Sequence, residues 1–233
     1  MRIPNAKQLT ISVQDDLRVS ALLQAPTAVR AGFVFAHGAG AGMTHPFLTD
    51  ISAGLAERGI ATLRYQFPYM EKGSKRPDPP KLAQATVRAA VAEALRQLPH
   101  ALLFAGGKSF GARMTSQSQA ASPLTGIRGL AFLGFPLHPA GQPSRTRADH
   151  LFQVNVPMLF LQGTRDSLAA LAELEPVCKD LGKSATLTLF ADADHSFHVP
   201  ARSGRKDAEV RHELLDAFEA WIDRVMAGKP AKR

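Results

Sequence analysis

Ala105-Gly106-Gly107-Lys108-Ser109-Phe110-Gly111-Ala112 joins two segments of different character. Before it, Ala101 to Phe104 is a short apolar run that predicts a buried strand. After it, Arg113 to Ala121 is rich in Ala, Ser, Thr and Gln and predicts a helix. Gly107-Lys108-Ser109-Phe110-Gly111 fits G-x-S-x-G, and between a strand and a helix that pattern is a nucleophile elbow. A turn this tight strains the serine backbone and leaves no room for bulky neighbours, which explains the glycines. The hydroxyl then stands above the sheet, over the unpaired N–H groups that open the helix.

Two other readings of the stretch compete. Gly106-Gly107-Lys108-Ser109 has the ending of a phosphate-binding P-loop, but that motif wants a glycine five residues before its second glycine. Position 102 is Leu102, inside the predicted strand, which leaves no loop to wrap phosphates. The other reading is a glycine-rich turn with an incidental serine, and only the rest of the chain can weigh against it.

Outward from the elbow, strand and helix patterns alternate. Gln8 to Val13 and Val19 to Gln24 suggest an antiparallel hairpin turning at Asp15-Asp16. Gly32 to Ala36 is a continuous apolar run, as expected of a strand covered on both faces, Gly129 to Gly134 is another apolar strand, and Ile60 to Tyr65 and Met158 to Gln162 also read as strands. Ala185 to Phe190 alternates. Helices are predicted over Pro46 to Arg58, Leu82 to Leu98, Leu168 to Leu181 with a break near Pro176, and Lys206 to Met226. Gln66 to Pro80 and Pro136 to Gln153 read as proline-bearing loops. The alternation implies an α/β fold: a mostly parallel twisted sheet with helices on both faces. Functional groups in such sheets gather where strands end.

An elbow serine needs a base, and the base needs a carboxylate to fix its tautomer. The chain order for this architecture is Ser, then Asp or Glu, then His. Ser109, Asp166 and His195 occur in that order, each just after its own predicted strand. Asp192 and Asp194 compete for the carboxylate role, but a close neighbour in a tight loop rarely reaches its own histidine, and both read better as turn formers. His195 and His198 have a spacing that could hint at zinc, but no Cys or acidic set accompanies them, so no metal is expected.

With these residues in hand, the sequence resembles the α/β-hydrolase family along nearly its whole length. The resemblance rests on His37-Gly38, the elbow, Gly163-Thr164-Arg165-Asp166 and Asp194-His195-Ser196-Phe197. It is similar to the small capless, dienelactone-hydrolase-like branch. The elbow and Tyr65-Gln66-Phe67-Pro68-Tyr69-Met70 also resemble the testis-expressed hydrolase-like group and its bacterial relatives, whose substrates are mostly unassigned. The resemblance implies the α/β-hydrolase fold without a cap domain, and a catalytic triad of Ser109, Asp166 and His195. It also implies an oxyanion hole formed by the N–H of Ala39 or Gly40 with that of Phe110. The dienelactone hydrolases carry cysteine at the elbow where this chain has serine, which argues against dienelactones as the substrate.

Gly38-Ala39-Gly40-Ala41-Gly42 also partly resembles a dinucleotide loop, but its third glycine is misplaced and the next strand ends in Arg64-Tyr65 without an acidic residue. Only an NADP reading through Arg64 would survive, and no cofactor is expected. Tyr65, Phe67 and Tyr69, with His37, are candidates for a shallow substrate wall beside Ser109; core packing is the alternative reading. His45 and His138 read as packed or solvent-facing, and Cys178 as an inert thiol on a helix.

The 233 residues, 45% hydrophobic and 21% charged, suit one domain over 1–228 followed by a frayed basic tail over 229–233. The single cysteine fits a reducing compartment, and no apolar leader or membrane-length run is present, so a cytoplasmic chain without a membrane partner is expected. The net charge of +8 comes from dispersed residues with no basic patch interleaved with aromatics. That argues against nucleic acid and leaves solvated surface, or help for an anionic substrate. The expected activity is cleavage of a small-molecule ester or thioester. The reading from another class is a catalytically weak binding module on the same fold.

Overall fold

The computed structural model describes residues 6–14 and 16–228. Asp15 of the predicted turn and the predicted tail 229–233 lie outside them. The elements are β1 (Lys7–Gln14), β2 (Leu17–Gln24), β3 (Ala31–Ala36), α1 (Pro46–Glu57), β4 (Ile60–Tyr65), α2 (Pro68–Glu71), α3 (Pro80–Gln97), β5 (Leu102–Lys108), α4 (Phe110–Ala121), β6 (Ile127–Leu133), β7 (Met158–Gly163), α5 (Leu171–Leu181), β8 (Ala185–Phe190) and α6 (Asp207–Ala227). Short 3₁₀ segments cover Thr146–Gln153, Gly182–Ser184 and Ala201–Ser203.

All eight strands form one sheet in the order β1-β2-β4-β3-β5-β6-β7-β8. β1 and β2 pair antiparallel, as do β2 and β4, and every pairing from β4 through β8 is parallel. This is the α/β-hydrolase architecture. Side-chain alternation divides the apolar strands between two cores. Val34, Ala105, Phe132 and Phe160 face one core with α3, α4 and α5. Phe33, Phe35, Phe104, Leu133 and Leu161 face the other with α1 and α6, where Phe218 and Trp221 fill the space. Burial on both faces is why these strands are apolar without polar interruption.

After β4 the chain crosses β3 to lay down β5, so the connections turn in opposite directions on either side of β3 and β5. The loops that follow β3 and β5 therefore meet at the carboxyl edge of the sheet. The loops after β7 and β8 open on the same edge.

Three local expectations change. The predicted break at Pro176 is absent, and α5 runs through it. Pro176 leaves the Ala172 carbonyl without its helical donor, but Ala172 is exposed, so water can take that place. The segment after β6 is not all loop, because Thr146–Gln153 winds into a 3₁₀ helix that buries Ala148 and Leu151. It packs on α4 rather than forming a separate layer. Gln66 to Pro80 likewise contains the single turn α2.

Candidate functional site

The elbow is built by close backbone contact. A Cβ on Gly106 would lie 1.8 Å from the Ala131 carbonyl oxygen. One on Gly107 would lie 2.6 Å from that of Ala36, and one on Gly111 would meet the same oxygen at 2.6 Å. The three glycines thus let β5 and α4 press against β3 and β6. Ser109 sits between them at φ 52° and ψ −114°, a conformation that costs a non-glycine residue about 1–3 kcal/mol. The Ser109 N–H donates to the Leu133 carbonyl at 3.2 Å, and its own carbonyl accepts from Arg113 N–H at 3.2 Å. The turn is held from both sides.

Three side chains from three loops meet here. His195 Nε2 lies 2.8 Å from Ser109 Oγ. His195 Nδ1 lies 2.6 Å from Asp166 Oδ2 on its other side. The imidazole is 21% exposed, whereas the Asp166 side chain is fully buried. Asp166 Oδ1 accepts the Leu168 N–H at 2.8 Å, and Oδ2 also accepts from Gln162 Nε2. Gln162 is itself fixed, since its Oε1 accepts the Phe135 N–H at 2.9 Å. With these bonds in place, His195 Nδ1 faces the carboxylate and Nε2 faces the serine hydroxyl. Asp194 does not take this part. Its Oδ1 accepts from Ser196 N–H at 2.7 Å and His198 N–H at 3.0 Å, shaping the loop. Asp192 sits at φ 60° and bonds through its N–H to Thr164 Oγ1.

The loop after β3 abuts the elbow, since a Cβ on Gly38 would lie 3.6 Å from Ser109 Cβ. Among the described residues, neither the Ala39 N–H nor the Phe110 N–H has a hydrogen-bond partner. Phe110 opens α4, so its N–H has no partner within the helix either. The Gly40 N–H, expected as an alternative to Ala39, is engaged by Tyr69 Oη at 3.3 Å.

The expected pocket wall is corrected. His37, Tyr65 and Phe67 are fully buried and Tyr69 is 3% exposed, so the first three offer no surface to a ligand. They are scaffold. His37 Nδ1–H donates to the Gly38 carbonyl at 2.8 Å, and Nε2 accepts from Phe67 N–H at 3.1 Å. Burial lowers the His37 pKa to about 4, so the ring is a neutral brace between the loops after β3 and β4. Phe67 and Tyr69 pack against Phe110, which steadies the first residue of α4. Strand periodicity alone could not separate wall from core, because β4 is buried on both faces.

The other candidates are likewise committed elsewhere. Arg64 turns inward to the Met43 carbonyl at 3.1 Å and Thr49 Oγ1 at 2.8 Å, which leaves no guanidinium for a ribose phosphate. His198 pairs with Asp207 at 2.9 Å, and no group of three or more metal-binding side chains occurs among the described residues. His45 caps α1 by accepting from Phe47 N–H at 3.3 Å. His138 Nε2 accepts from Ala170 N–H at 2.8 Å, fastening the loop after β6 to the loop carrying Asp166. Cys178 is buried on α5, and its thiol is pushed up to about 12 by burial and by Glu175.

Residues 29–223 match the model of the family described as the alpha/beta hydrolase domain. The chain belongs to the alpha/beta hydrolase family. Solved structures of small members share its fold. A dienelactone hydrolase from Anabaena variabilis superposes with a TM-score of 0.74 at 19% identity, over 93% of this chain and 98% of that one. A lidless serine hydrolase from Xanthomonas campestris gives 0.73 at 22% identity over 97% of both chains. The esterase domain of a Rhodothermus marinus protein gives 0.72 at 18%, over 95% and 99%. These likenesses show a fold shared with small members of the family.

A cavity of about 560 Å³ lies away from this site. It is lined by Leu102, Ile127, Pro157 and Thr186, at the opposite ends of the strands, and by Trp221 and Arg224 of α6. Among the described residues, no helix is long and apolar enough to cross a membrane.

Sequence reasoning did not anticipate Gln162, which orients Asp166. The available signal was one amide in the otherwise apolar run Met158 to Leu161 before Gly163. A buried polar side chain requires a partner.

Proposed function

We propose that the chain is a serine hydrolase that cleaves a small carboxylic ester or thioester through an acyl-enzyme. The observation that carries this reading is the unbroken hydrogen-bonded line Ser109–His195–Asp166, with its serine on a strained elbow. Ser109 Oγ attacks the acyl carbon as His195 Nε2 takes its proton. Asp166 stabilises the imidazolium. The Ala39 and Phe110 N–H groups receive the tetrahedral oxyanion, with the N-terminus of α4 adding its partial positive charge. His195 returns the proton to the departing alcohol or thiol, and a water attacks the acyl-serine by the same route. The names of the solved neighbours, an esterase domain and a dienelactone hydrolase, favour ester chemistry, and the surplus of cations favours anionic over cationic substrates.

The test is pre-steady-state hydrolysis of p-nitrophenyl acetate and phenyl thioacetate. A burst of leaving group equal to the enzyme concentration, absent from Ser109→Ala, is the expected result. Equal turnover by wild type and Ser109→Ala would reject the reading.

A further inference from the structure

Lys108, the residue between Gly107 and the elbow serine, has no role in the mechanism above, yet its side chain is built into the site. Its Nζ donates to the backbone carbonyl of His195 at 2.6 Å. Among the described residues this is the one hydrogen bond made by the His195 backbone. The rest of the loop is fastened by other bonds: Asp194 N–H donates to the His198 carbonyl at 2.9 Å, Phe197 N–H to the Asp194 carbonyl at 3.0 Å, and Arg165 N–H from the loop after β7 to the Ala193 carbonyl at 2.9 Å. Phe197 takes a positive φ of 62° and packs edge-on to Phe190. At His195 itself, among the described residues, Lys108 supplies the backbone's anchor.

The space around the ammonium is tight. A Cβ on Gly134 would lie 3.0 Å from Lys108 Nζ and 3.3 Å from His195 Nδ1 and Cε1. The cation and the imidazole therefore flank the same crowded point above Gly134, whose φ of 68° also favours glycine. The Phe197 ring lies 5.7 Å from Nζ.

We propose that Lys108 is a positioning residue for His195, its ammonium clamping the histidine's carbonyl so that the ring reaches Ser109 and Asp166 together. The proposal rests on the serine-hydrolase reading. One stretch of backbone then carries both the nucleophile and the anchor of its base, so strain at Ser109 and placement of His195 are mechanically linked. The charged groups facing the ammonium are Asp166 from the loop after β7 and Asp194 from the loop after β8, and the His195 imidazole lies beside them. Burial lowers the Lys108 pKa to about 8, against the opposing pull of Asp166 and Asp194. The clamp thus loses its charge in mildly alkaline solution, whereas an exposed lysine would keep it.

The experiment compares wild type with Lys108→Met, which keeps length and apolar bulk but neither donor nor charge. A base displaced by a fraction of an ångström to 1 Å loses up to about 10² in rate. The expected result is a fall of that order in kcat, with KM within about threefold because substrate contacts are untouched. Wild type should also show an alkaline limb near pH 8 in kcat/KM that Lys108→Met lacks. A third readout needs no activity: the low-field proton NMR signal of His195 Nδ1–H should be sharp in wild type and weakened in the variant. Unchanged kcat, or a fall in kcat with the pH profile and the proton signal both unaltered, would overturn the proposal. If wild type itself shows no serine-dependent turnover, the hydrolase reading fails, and the proton signal alone still decides whether Lys108 places His195. If Lys108→Met does not fold, Lys108→Leu, which likewise has neither donor nor charge, is read in the same way.

Discussion

Asp166→Asn separates charge from geometry at the buried end of the site. Three donors converge on the Asp166 carboxylate: Gln162 Nε2 and His195 Nδ1 on one oxygen, and the Leu168 N–H on the other. An asparagine has one oxygen and an NH₂ group. Gln162 cannot reverse to accommodate it, because its own oxygen takes the Phe135 N–H. With the amide oxygen toward Gln162 and His195, one donor conflict arises, at Leu168. In the reverse orientation there are two. Each unsatisfied buried donor costs about 1–3 kcal/mol, so the first orientation wins and His195 keeps its Nδ1 proton. The lost quantity is the negative charge that faces the imidazolium in the transition state. At a charge separation of about 4 Å and an effective dielectric constant near 20, that attraction is about 4 kcal/mol, on the order of 10³-fold in rate. If the tautomer were lost as well, the fall would approach about 10⁴. The assay is kcat/KM for p-nitrophenyl acetate beside a urea denaturation curve. The expectation is a fall of about 10³-fold with a stability loss of about 1–3 kcal/mol. Asp166→Asn within tenfold of wild type, with Asp194→Asn crippled instead, would refute the reasoning.

Gly107→Ala places its methyl 2.6 Å from the Ala36 carbonyl oxygen and 2.8 Å from Gly111 C, both backbone atoms that cannot step aside. Thermal unfolding should therefore register at least the roughly 1–3 kcal/mol of overpacking. Burial holds His37 and His150 at about 4, below the ordinary histidine value of 6.5. The unfolded chain therefore takes up protons in that window that the folded chain refuses. Stability should be full above pH 6.5 and decline as pH falls toward 4, which urea midpoints at pH 7, 5.5 and 4.5 will show. A steady midpoint across that range would mean that these rings are not held neutral. Across p-nitrophenyl esters from acetate to decanoate, kcat/KM should vary weakly, because the chain from Pro136 to Val156 packs on α4 and adds no covering layer. A steep rise toward decanoate would show an acyl tunnel.

Much of the architecture was legible because it is written in short-range patterns. Runs such as Gly32 to Ala36 and Met158 to Leu161 have no polar face, so they had to be strands covered on both sides. The order of Ser109, Asp166 and His195 could be read because each follows its own strand, and parallel strands deliver their ends to one edge. The roles of His37, Tyr65 and Phe67 were not legible. An aromatic beside a motif looks the same whether it lines a cleft or fills a core, and only packing against Phe110 decides. The bond from the Gly40 N–H to Tyr69 Oη depends on a contact across 29 residues. Gln162 and Lys108 look like ordinary polar residues until the loops that they hold are brought beside them. Pro176 was read as a break because local sequence does not reveal that the carbonyl it orphans faces water.

The central claim is that Ser109 is the covalent nucleophile. Its most direct test is treatment with a fluorophosphonate, followed by intact-mass and peptide mass spectrometry of the folded chain. The account predicts a single adduct on the peptide containing Ser109, formed in wild type, slowed in Asp166→Asn and absent from Ser109→Ala. An adduct on another residue that persists in Ser109→Ala, or no adduct on folded wild type, would contradict it.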